Sequence, residues 1–370
     1  MFHSIQVSGY RGLSSYEVRE LGRVNLLVGR NNSGKTSVLE AGYVLGSGGD
    51  PAALWRICNR RGERFAGEPS RYPRRSEVDV SHLFTGHELT IGQSFSIEGN
   101  NRSKRQLVNV AIDDFSERES EDEPDLIRDE ETLTRRRMAL RIRSPGLRRQ
   151  QIIPLSRQGG LGQENAELAS SPPGRLNRER AANVHFISTE SLSGNELIRH
   201  WDRIQLTPDE ALVLQALRFV DPSIEQIRSF GTGSAYGPRG GFLVKRKQEP
   251  LPFPLGSLGD GAWRMLTLAI ILTQCAGGML FIDEIDTGLH YTVLAEMWHL
   301  IHAASRQFDV QVFASTHSYD CVHSLSTICR ADESAGSEVT IQRIESDKPV
   351  ATPFTEIEIR TAAERQIEIR

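Results

Sequence analysis

Hydrophobic and polar residues alternate along the start of the chain in short runs that predict strands. The segments IQVSGY and SSYEV, followed by the mostly apolar VNLLV at residues 24–28, predict three short strands. The next segment, SVLEAGYVL, places apolar residues at helical spacing. The pattern therefore predicts a strand, a short loop and then a helix that ends near the glycines of residues 46–49.

The pattern changes between about residues 85 and 185. The segments LTIGQSFSIEG, QLVNVAID and MALRIR alternate as antiparallel strands do. An acidic block at 113–131 follows the second of these segments, and a polar stretch at 156–180 closes the region. Dense charge of this kind is typical of a solvated loop. We therefore predict an inserted, mainly β subdomain with mobile charged loops.

The rest of the chain alternates helical and strand patterns. Residues 186–232 look helical, with Thr207 as an N-cap and Pro208 at the first helical position. SLGDGAWRMLTLAIILTQ predicts a helix that starts at a glycine-rich turn. MLFIDEID, VQVFASTH and SEVTIQRIE predict three further strands. Strands and helices that alternate in this way favour an α/β fold.

Five segments follow from these patterns. They are an N-terminal lobe at 1–84, the mainly β insertion at 85–185, a helical segment at 186–255, a C-terminal lobe at 256–345 and a tail at 346–370.

Composition indicates an ordinary globular protein. Of its 370 residues, 38% are hydrophobic and 25% are charged, and the chain is long enough for more than one domain. A net charge of −4 gives no overall bias toward nucleic acid. The four cysteines show no metal-ligand spacing, so we expect reduced thiols. Neither a signal peptide nor an 18-residue apolar run is visible, so we predict a cytoplasmic protein without a membrane partner.

The loop GRNNSGKT, residues 29–36, carries the clearest chemistry. It has the spacing G-x-x-x-x-G-K-[ST] between a predicted strand and a predicted helix, which is the context that a phosphate-binding loop requires. Glycines let successive N–H groups turn toward an anion, and the helix N-terminus adds positive charge. Lys35 would reach the β- and γ-phosphates, and the Thr36 hydroxyl would bind Mg²⁺. We assign nucleotide binding to Gly29, Asn31, Asn32, Ser33, Gly34, Lys35, Thr36 and Ser37.

Two later strands end in residues that would complete a hydrolytic site. Asp283 and Glu284 follow the strand MLFI, where Asp283 fits a Mg²⁺ ligand and Glu284 a general base. His317 follows the strand VQVFAS, at the edge of the sheet where α/β proteins bind ligands. It would hydrogen-bond the γ-phosphate and sense its presence. The alternative is a histidine of the core or surface with no role in the site.

The order of GRNNSGKT, SLGDGAWR, FIDEID, TGLHYT and STHS resembles ABC-type ATPases of the SMC, RecF and OLD-like group. The similarity is greatest to OLD-like AAA-family ATPases found beside effector proteins in bacterial genomes. It spans most of the chain and implies an ABC-type P-loop ATPase head. It also implies a head-to-head homodimer, in which the signature loop of one subunit closes over ATP bound to the other.

The resemblance carries over to further residues of this sequence. The signature loop is Ser257-Leu258-Gly259-Asp260-Gly261, of which Gly259, Asp260 and Gly261 align with the S-G-G of the transporter form LSGGQ. Ser257 therefore lies two residues before the usual serine. Arg11, in SGYRG, is expected near the nucleotide, and Asp286 is expected to contact it.

The resemblance implies an ATP-dependent switch in bacterial defence that controls a separate effector, with a nuclease as one candidate. OLD proteins carry a C-terminal Toprim nuclease, and the 53 residues after His317 are too few for one. One alternative is a RecF-like DNA-repair ATPase whose arginines at 56–75 and 135–149 contact nucleic-acid phosphates. Another is a scaffold locked by ATP with negligible turnover.

Overall fold

The computed structural model describes most of the chain. The described residues are 1–65, 77–101, 104–115, 137–144, 150–156, 158–170, 183–230, 241–329 and 338–369. Most of the predicted acidic block lies outside them, as do residues 157 and 171–180 of the polar stretch and part of each arginine-rich segment.

The helices in these ranges are α1 (Lys35–Gly46), α2 (Pro51–Arg60), α3 (Gln163–Ala169), α4 (Gly194–Trp201), α5 (Glu210–Val220), α6 (Asp260–Gln274), α7 (Leu294–Gln307), α8 (Tyr319–Leu325) and α9 (Glu356–Glu364). Short 3₁₀ turns are Val80–Leu83, Leu255–Leu258, Tyr291–Val293 and Ser326–Ile328.

The strands are β1 (Ser4–Tyr10), β2 (Leu13–Val18), β3 (Val24–Val28), β4 (Glu77–Asp79), β5 (Ser94–Asn100), β6 (Arg105–Phe115), β7 (Arg137–Arg143), β8 (Gln151–Pro154), β9 (Gly160–Gly162), β10 (Val184–Ile187), β11 (Ile224–Ser229), β12 (Phe242–Arg246), β13 (Phe253–Pro254), β14 (Met279–Ile282), β15 (Gln311–Ser315), β16 (Val339–Arg343) and β17 (Thr352–Phe354). Within the described residues no helix is long and apolar enough to cross a membrane.

The first of two compact units consists of Met1–Ser4, Glu17–Leu39 and Ala182–Arg370. Its main sheet has the order β10-β14-β15-β3-β16-β17. All neighbouring pairs are parallel except β16 and β17. Every residue of β3 and β15 is buried, as expected for strands covered on both faces. Because these strands are parallel, the carboxyl ends of β3, β14 and β15 lie at the same edge of the sheet.

Helix α6 is the centre of this unit's core. All its residues from Ala262 to Thr273 are buried, and it packs against α4, α5 and α7. The Phe242 ring lies edge-to-face with Trp201 and Trp263, at centroid distances of 6.1 and 6.0 Å. Aromatic pairs in this geometry add to the stabilisation from burial alone. The helix is therefore anchored along its length, and its exposed end is the glycine-rich turn before Asp260.

The helical prediction for residues 186–232 is confirmed for α4 and α5 and wrong for Ile224–Ser229. That segment is β11, which pairs antiparallel with β12. A bulge between Ile224 and Gln226 shifts the register, so Ile224 and Ile227 are both buried three residues apart. Burial at that interval imitates one face of a helix, which explains the error.

The predicted cap of α5 is also wrong. The helix begins at Glu210, and Thr207 donates its hydroxyl to the Ile204 carbonyl at 2.6 Å instead of capping the helix. The Glu210 carboxylate accepts the Leu206 N–H at 2.8 Å, which stabilises the turn that precedes α5.

The second unit consists of Ile5–Tyr16 and Glu40–Ala181. Its sheet has the order β2-β1-β5-β6-β7-β8. The predicted antiparallel pairing is confirmed for β5 with β6 and for β6 with β7. Strands β4 and β9 form a separate two-stranded sheet. The predicted fold class, an α/β P-loop head with an inserted, mainly β subdomain, is confirmed.

Candidate nucleotide-binding site

The loop between β3 and α1 has a backbone that requires glycine. Gly29 has φ +142°, and a Cβ at this position would lie 2.3 Å from the Ile344 carbonyl oxygen. Gly34 has φ +102°, and Asn32 adopts the left-handed region with φ 61°. Within the described part of the chain, the buried hydroxyl of Ser33 has no hydrogen-bond partner. A buried polar atom without a partner is costly, and a bound phosphate oxygen would supply one.

Lys35 is the first residue of α1 and folds back over this loop. It is 6% exposed, and its Nζ donates to the carbonyls of Gly29 at 2.8 Å and Arg30 at 2.9 Å. Burial lowers the pKa of Lys35, while the charges of Glu284 and Asp283 act in the opposite direction. The ammonium group is therefore held beside the loop, with carboxylates near enough to stabilise its charge.

Thr36 meets the end of β14 through Asp283. The Thr36 hydroxyl lies 3.1 and 3.3 Å from the two carboxylate oxygens of Asp283. Ser315, at the end of β15, donates to the Asp283 Oδ1 at 2.7 Å. A hydroxyl and a carboxylate held together are hard oxygen ligands of the kind that Mg²⁺ prefers. The residues present therefore fit a magnesium ion.

Glu284 and His317 are in direct contact. The Nδ1 of His317 lies 2.5 Å from the Oε2 of Glu284. The Glu284 backbone is in the left-handed region, with φ 48°, and its N–H donates to the Ser315 hydroxyl at 2.9 Å. A non-glycine residue in this region is uncommon and is found where surrounding contacts hold it. The structure thus brings together the predicted carboxylate base and the predicted sensor.

The Asp286 side chain is hydrogen-bonded to a residue of the same chain. The Thr316 hydroxyl donates to the Asp286 Oδ1 at 2.6 Å and accepts the Ser318 N–H at 2.9 Å. These bonds tie the segment after β14 to the segment that carries His317. Contact between Asp286 and a nucleotide stays a prediction.

The predicted signature loop forms an exposed turn at the start of α6. Ser257, Gly259 and Asp260 are exposed, and Gly259 has φ +84°. Among the described residues, no side chain caps the helix N-terminus that follows. Helix N-termini of this kind attract anions. Gly261 is packed closely, because a Cβ there would lie 2.9 Å from the Gly288 carbonyl oxygen. Contact between this turn and a nucleotide stays a prediction.

Arg11 belongs to the second unit, where acidic side chains surround it. Its Nη1 and Nη2 donate to the two Glu63 carboxylate oxygens at 2.6 and 3.0 Å, and its Nε lies 2.9 Å from Glu40. Arg60 and Arg61 also pair with the fully buried Glu40. The proximity of Arg11 to the nucleotide stays a prediction.

Sequence reasoning missed three residues of the site. Ser315 bridges Asp283 and Glu284, Thr316 holds Asp286, and Arg264 donates to the backbone of the Asp283–Ile285 turn. A signal existed for each of them. The hydroxyl residues stand directly before His317, and Arg264 is a charge within a long apolar run.

Three solved structures are similar to this chain. An SMC head bound to the C-terminal winged-helix domain of ScpA has 12% identity and a TM-score of 0.48, and the match covers 98% of this chain and 99% of that chain. The SMC head domain of Thermotoga maritima has 11% identity and a TM-score of 0.44, with coverage of 96% and 98%. An SMC head of Pyrococcus furiosus, with an extended coiled coil and bound to the C-terminal domain of ScpA, has 11% identity, a TM-score of 0.49 and 99% coverage of each chain.

No curated protein matches the chain. A sequence profile described as "AAA domain, putative AbiEii toxin, Type IV TA system" matches residues 24–320, a span that contains the glycine loop, both acids and His317. The chain therefore belongs to this family of AAA-domain ATPases.

Proposed function

We propose that this chain binds ATP with Mg²⁺, hydrolyses it, and works as a homodimeric switch that controls a separately encoded effector protein. The observation that carries the proposal is the cluster of Lys35, Thr36, Asp283, Glu284 and His317 at the ends of β3, β14 and β15. A phosphate cradle, oxygen ligands for a metal and a carboxylate base are the parts that ATP hydrolysis requires.

The glycine loop supports binding of the ATP phosphates. Its backbone is already curled by Gly29 and Gly34, and helix α1 begins directly after it. The Lys35 ammonium lies over the loop carbonyls and would contact the β- and γ-phosphates. The Ser33 hydroxyl, which has no partner in the described part of the chain, would gain one.

Thr36 and Asp283 would hold the magnesium ion. When bound, Mg²⁺ neutralises charge on the phosphate oxygens as the terminal phosphoryl group is transferred. Ser315 orients the Asp283 carboxylate through its hydrogen bond to Oδ1. Groups that orient metal ligands in this way commonly matter for metal affinity.

Glu284 would act as the base that accepts a proton from the attacking water. In this structure its carboxylate is engaged by His317. A γ-phosphate that accepts a hydrogen bond from His317 would compete with Glu284 for the imidazole. The same event would then register ATP and release the base, which suits a switch better than a constitutive hydrolase.

The exposed signature turn supports the proposed dimer. The Gly259–Gly261 backbone and the start of α6 offer N–H groups that lie on the surface. A phosphate held by a second copy of the chain is an anion suited to such a site. Hydrolysis removes that anion, so the two subunits would separate after turnover.

A separately encoded effector is the output of the proposed switch. The order of motifs resembles ATPases that act beside effector proteins in bacterial defence, and a nuclease is one candidate effector. The family description names a toxin of a type IV TA system, with which a defence role is compatible.

Trapping the ATP-bound state tests the switch. We would express tagged Glu284→Gln in the native host, keep ATP and Mg²⁺ present during purification, and identify the proteins that co-purify. We expect a dimer by light scattering with a stoichiometric second protein, and neither with Lys35→Ala. Lys348→Ala, at an exposed lysine, is the matched control and should behave as the wild type. A monomer that carries no partner in every variant would contradict the proposal.

Direct DNA binding, as in a RecF-like repair ATPase, is the alternative. The described arginines give it little support, because Arg60 and Arg61 pair with Glu40, and Arg141 pairs with Asp113. Nucleic acid that co-purifies with Glu284→Gln in place of a protein, with an affinity that falls steeply as salt rises, would favour this alternative.

A further inference from the structure

Arg264 is a buried charge on the signature helix. It lies in the first turns of α6 and is 2% exposed. Burial lowers the pKa of Arg264 to about 10, against the opposing charges of Asp286, Asp283 and Glu284. The side chain therefore remains charged at neutral pH. Burying a charge is costly unless its hydrogen bonds are satisfied, so the partners of this guanidinium indicate what it does.

The guanidinium donates to two separate backbone segments. Its Nη2 lies 2.9 Å from the carbonyl oxygens of both Asp283 and Glu284, and its Nε lies 3.4 Å from that of Ile285. Its Nη1 donates to the Ser188 carbonyl at 2.6 Å and the Ser191 hydroxyl at 3.0 Å. All five acceptors are uncharged. The side chain thus pins the turn after β14 to the segment after β10.

The turn that Arg264 pins is the one that carries the proposed base. Glu284 has a left-handed backbone with φ 48°, which a non-glycine residue adopts only where surrounding contacts hold it. The Glu284 N–H donates to the Ser315 hydroxyl, and the Glu284 carbonyl accepts from Arg264. The peptide groups before and after Glu284 are therefore both hydrogen-bonded. With both peptide groups fixed, the direction of the Glu284 side chain is set by the backbone as well as by His317.

The helix that carries Arg264 starts at the signature turn. Helix α6 begins at Asp260, about one helical turn before Arg264. The next residue, Gly261, packs against the Gly288 carbonyl, so both ends of the segment after the acids contact the same helix. Trp263 donates to the Leu192 carbonyl at 3.1 Å, which adds a second bond from the helix to the segment after β10. A shift of the signature turn would therefore be transmitted to Asp283 and Glu284.

We propose that Arg264 is a positioning residue, which couples the signature turn to the orientation of Glu284 through the backbone carbonyls of Asp283 and Glu284. This inference rests on the proposed ATP hydrolysis. It assigns to Arg264 the step between closure of the signature turn and alignment of the base. Arg264 does not contact ATP in this account.

The test compares Arg264→Gln and Arg264→Lys with the wild type in ATP affinity, kcat and KM. Neither glutamine nor lysine can donate to all five acceptors of Arg264 at once, so the Glu284 carbonyl loses the support of the guanidinium. We expect kcat to fall about 100-fold in Arg264→Gln, the scale expected when a catalytic group is misplaced by about an ångström, and less in Arg264→Lys. Affinity for ATP with Mg²⁺ should stay within about twofold, because Lys35 and Thr36 are untouched.

Thr267→Val is the matched control, since Thr267 is buried on the same helix and donates to the Trp263 carbonyl at 2.9 Å. Its kcat should equal that of the wild type. A second readout is rescue of Arg264→Ala by guanidinium ions at millimolar concentration, with sodium chloride of equal ionic strength as the control. We expect guanidinium to raise kcat and the sodium salt to leave it unchanged.

Two results would overturn the inference. One is an unchanged kcat in folded Arg264→Gln. The other is a loss of activity that, in every Arg264 variant, is explained entirely by a smaller fraction of folded protein. Failure of all these variants to fold counts as the second result. If the wild type itself shows no ATP turnover, the proposed function fails, whereas normal turnover in both wild type and Arg264→Gln defeats this inference alone.

Discussion

The Nδ1 atom of His317 lies 2.5 Å from the Oε2 atom of Glu284, so the proposed base and the proposed phosphate sensor share a hydrogen bond. The two residues follow β14 and β15, which are neighbours in the parallel sheet. The His317 side chain is 62% exposed, whereas that of Glu284 is 24% exposed. The imidazole is therefore the more exposed of the two groups, and we propose that a bound γ-phosphate would move it.

Replacing His317 with alanine should separate ATP binding from hydrolysis. The γ-phosphate would lose the imidazole proposed to hydrogen-bond it, while the glycine loop would stay intact. We expect kcat to fall about 10- to 100-fold with little change in ATP affinity, as for loss of a group that assists proton transfer. Steady-state kinetics and ATP titration measure the two effects. His323→Ala, at an exposed histidine of α8, is the control, and an equal fall in that variant would contradict the assignment.

Ser315→Ala should weaken the apparent affinity for Mg²⁺. The Ser315 hydroxyl holds the Asp283 carboxylate at 2.7 Å and accepts the Glu284 N–H at 2.9 Å. Loss of a group that orients a metal ligand commonly reduces metal affinity about 10- to 100-fold. The Mg²⁺ concentration for half-maximal ATPase activity should rise on that scale. Ser305→Ala removes a fully buried hydroxyl on α7 and should leave it unchanged. Equal Mg²⁺ requirements in both variants would argue against Asp283 as the ligand.

Gly29→Ala should abolish nucleotide binding and lower stability. The added Cβ would lie 2.3 Å from the Ile344 carbonyl oxygen, and the backbone has φ +142°. The loop would have to open, which moves its N–H groups away from the phosphates. Gly62→Ala provides the comparison, because Gly62 also has a positive φ but has no atom within 4 Å of the added Cβ. We expect that control to cost about 1 kcal/mol of unfolding free energy and to leave ATP binding intact.

The thiols should resist alkylation in the folded protein. Burial raises the pKa of Cys329 to about 12, and it also raises the pKa of the buried Cys58, Cys275 and Cys321. The thiolate is the reactive form, and a raised pKa keeps each thiol protonated up to a higher pH in the folded state. Intact mass after iodoacetamide treatment at pH 8.5 should show little labelling until denaturant is added. Rapid labelling of more than one thiol in the native protein would contradict the burial of Cys58, Cys275 and Cys321.

The parts of the site that local sequence could predict are those encoded within one element. The glycine loop stands between a strand and a helix, and the acids and the histidine each follow an apolar strand. Each of these elements is recognisable from periodicity and from its end residues. Their presence in one parallel sheet was a reasonable expectation, because an α/β pattern brings strand ends to one edge.

The parts that could not be predicted depend on non-local contacts. The bonds of Ser315 reach residues 32 and 31 positions away, and those of Arg264 join a helix to two different segments. A buried arginine that donates to carbonyls leaves no paired acidic residue in the sequence to mark it. The bulge in β11 made this segment look helical, because it leaves two buried isoleucines three residues apart, as on one face of a helix.

The most direct test of the central claim is the rate of phosphate release from ATP by Glu284→Gln and by the wild type, at equal saturation with ATP and Mg²⁺. Glu296→Gln, at an exposed glutamate of α7, serves as the control. If Glu284 is the base of the site formed with Lys35, Thr36 and Asp283, Glu284→Gln should bind ATP with unchanged affinity and release phosphate at least about 100-fold more slowly. Turnover at the wild-type rate in Glu284→Gln would contradict the account.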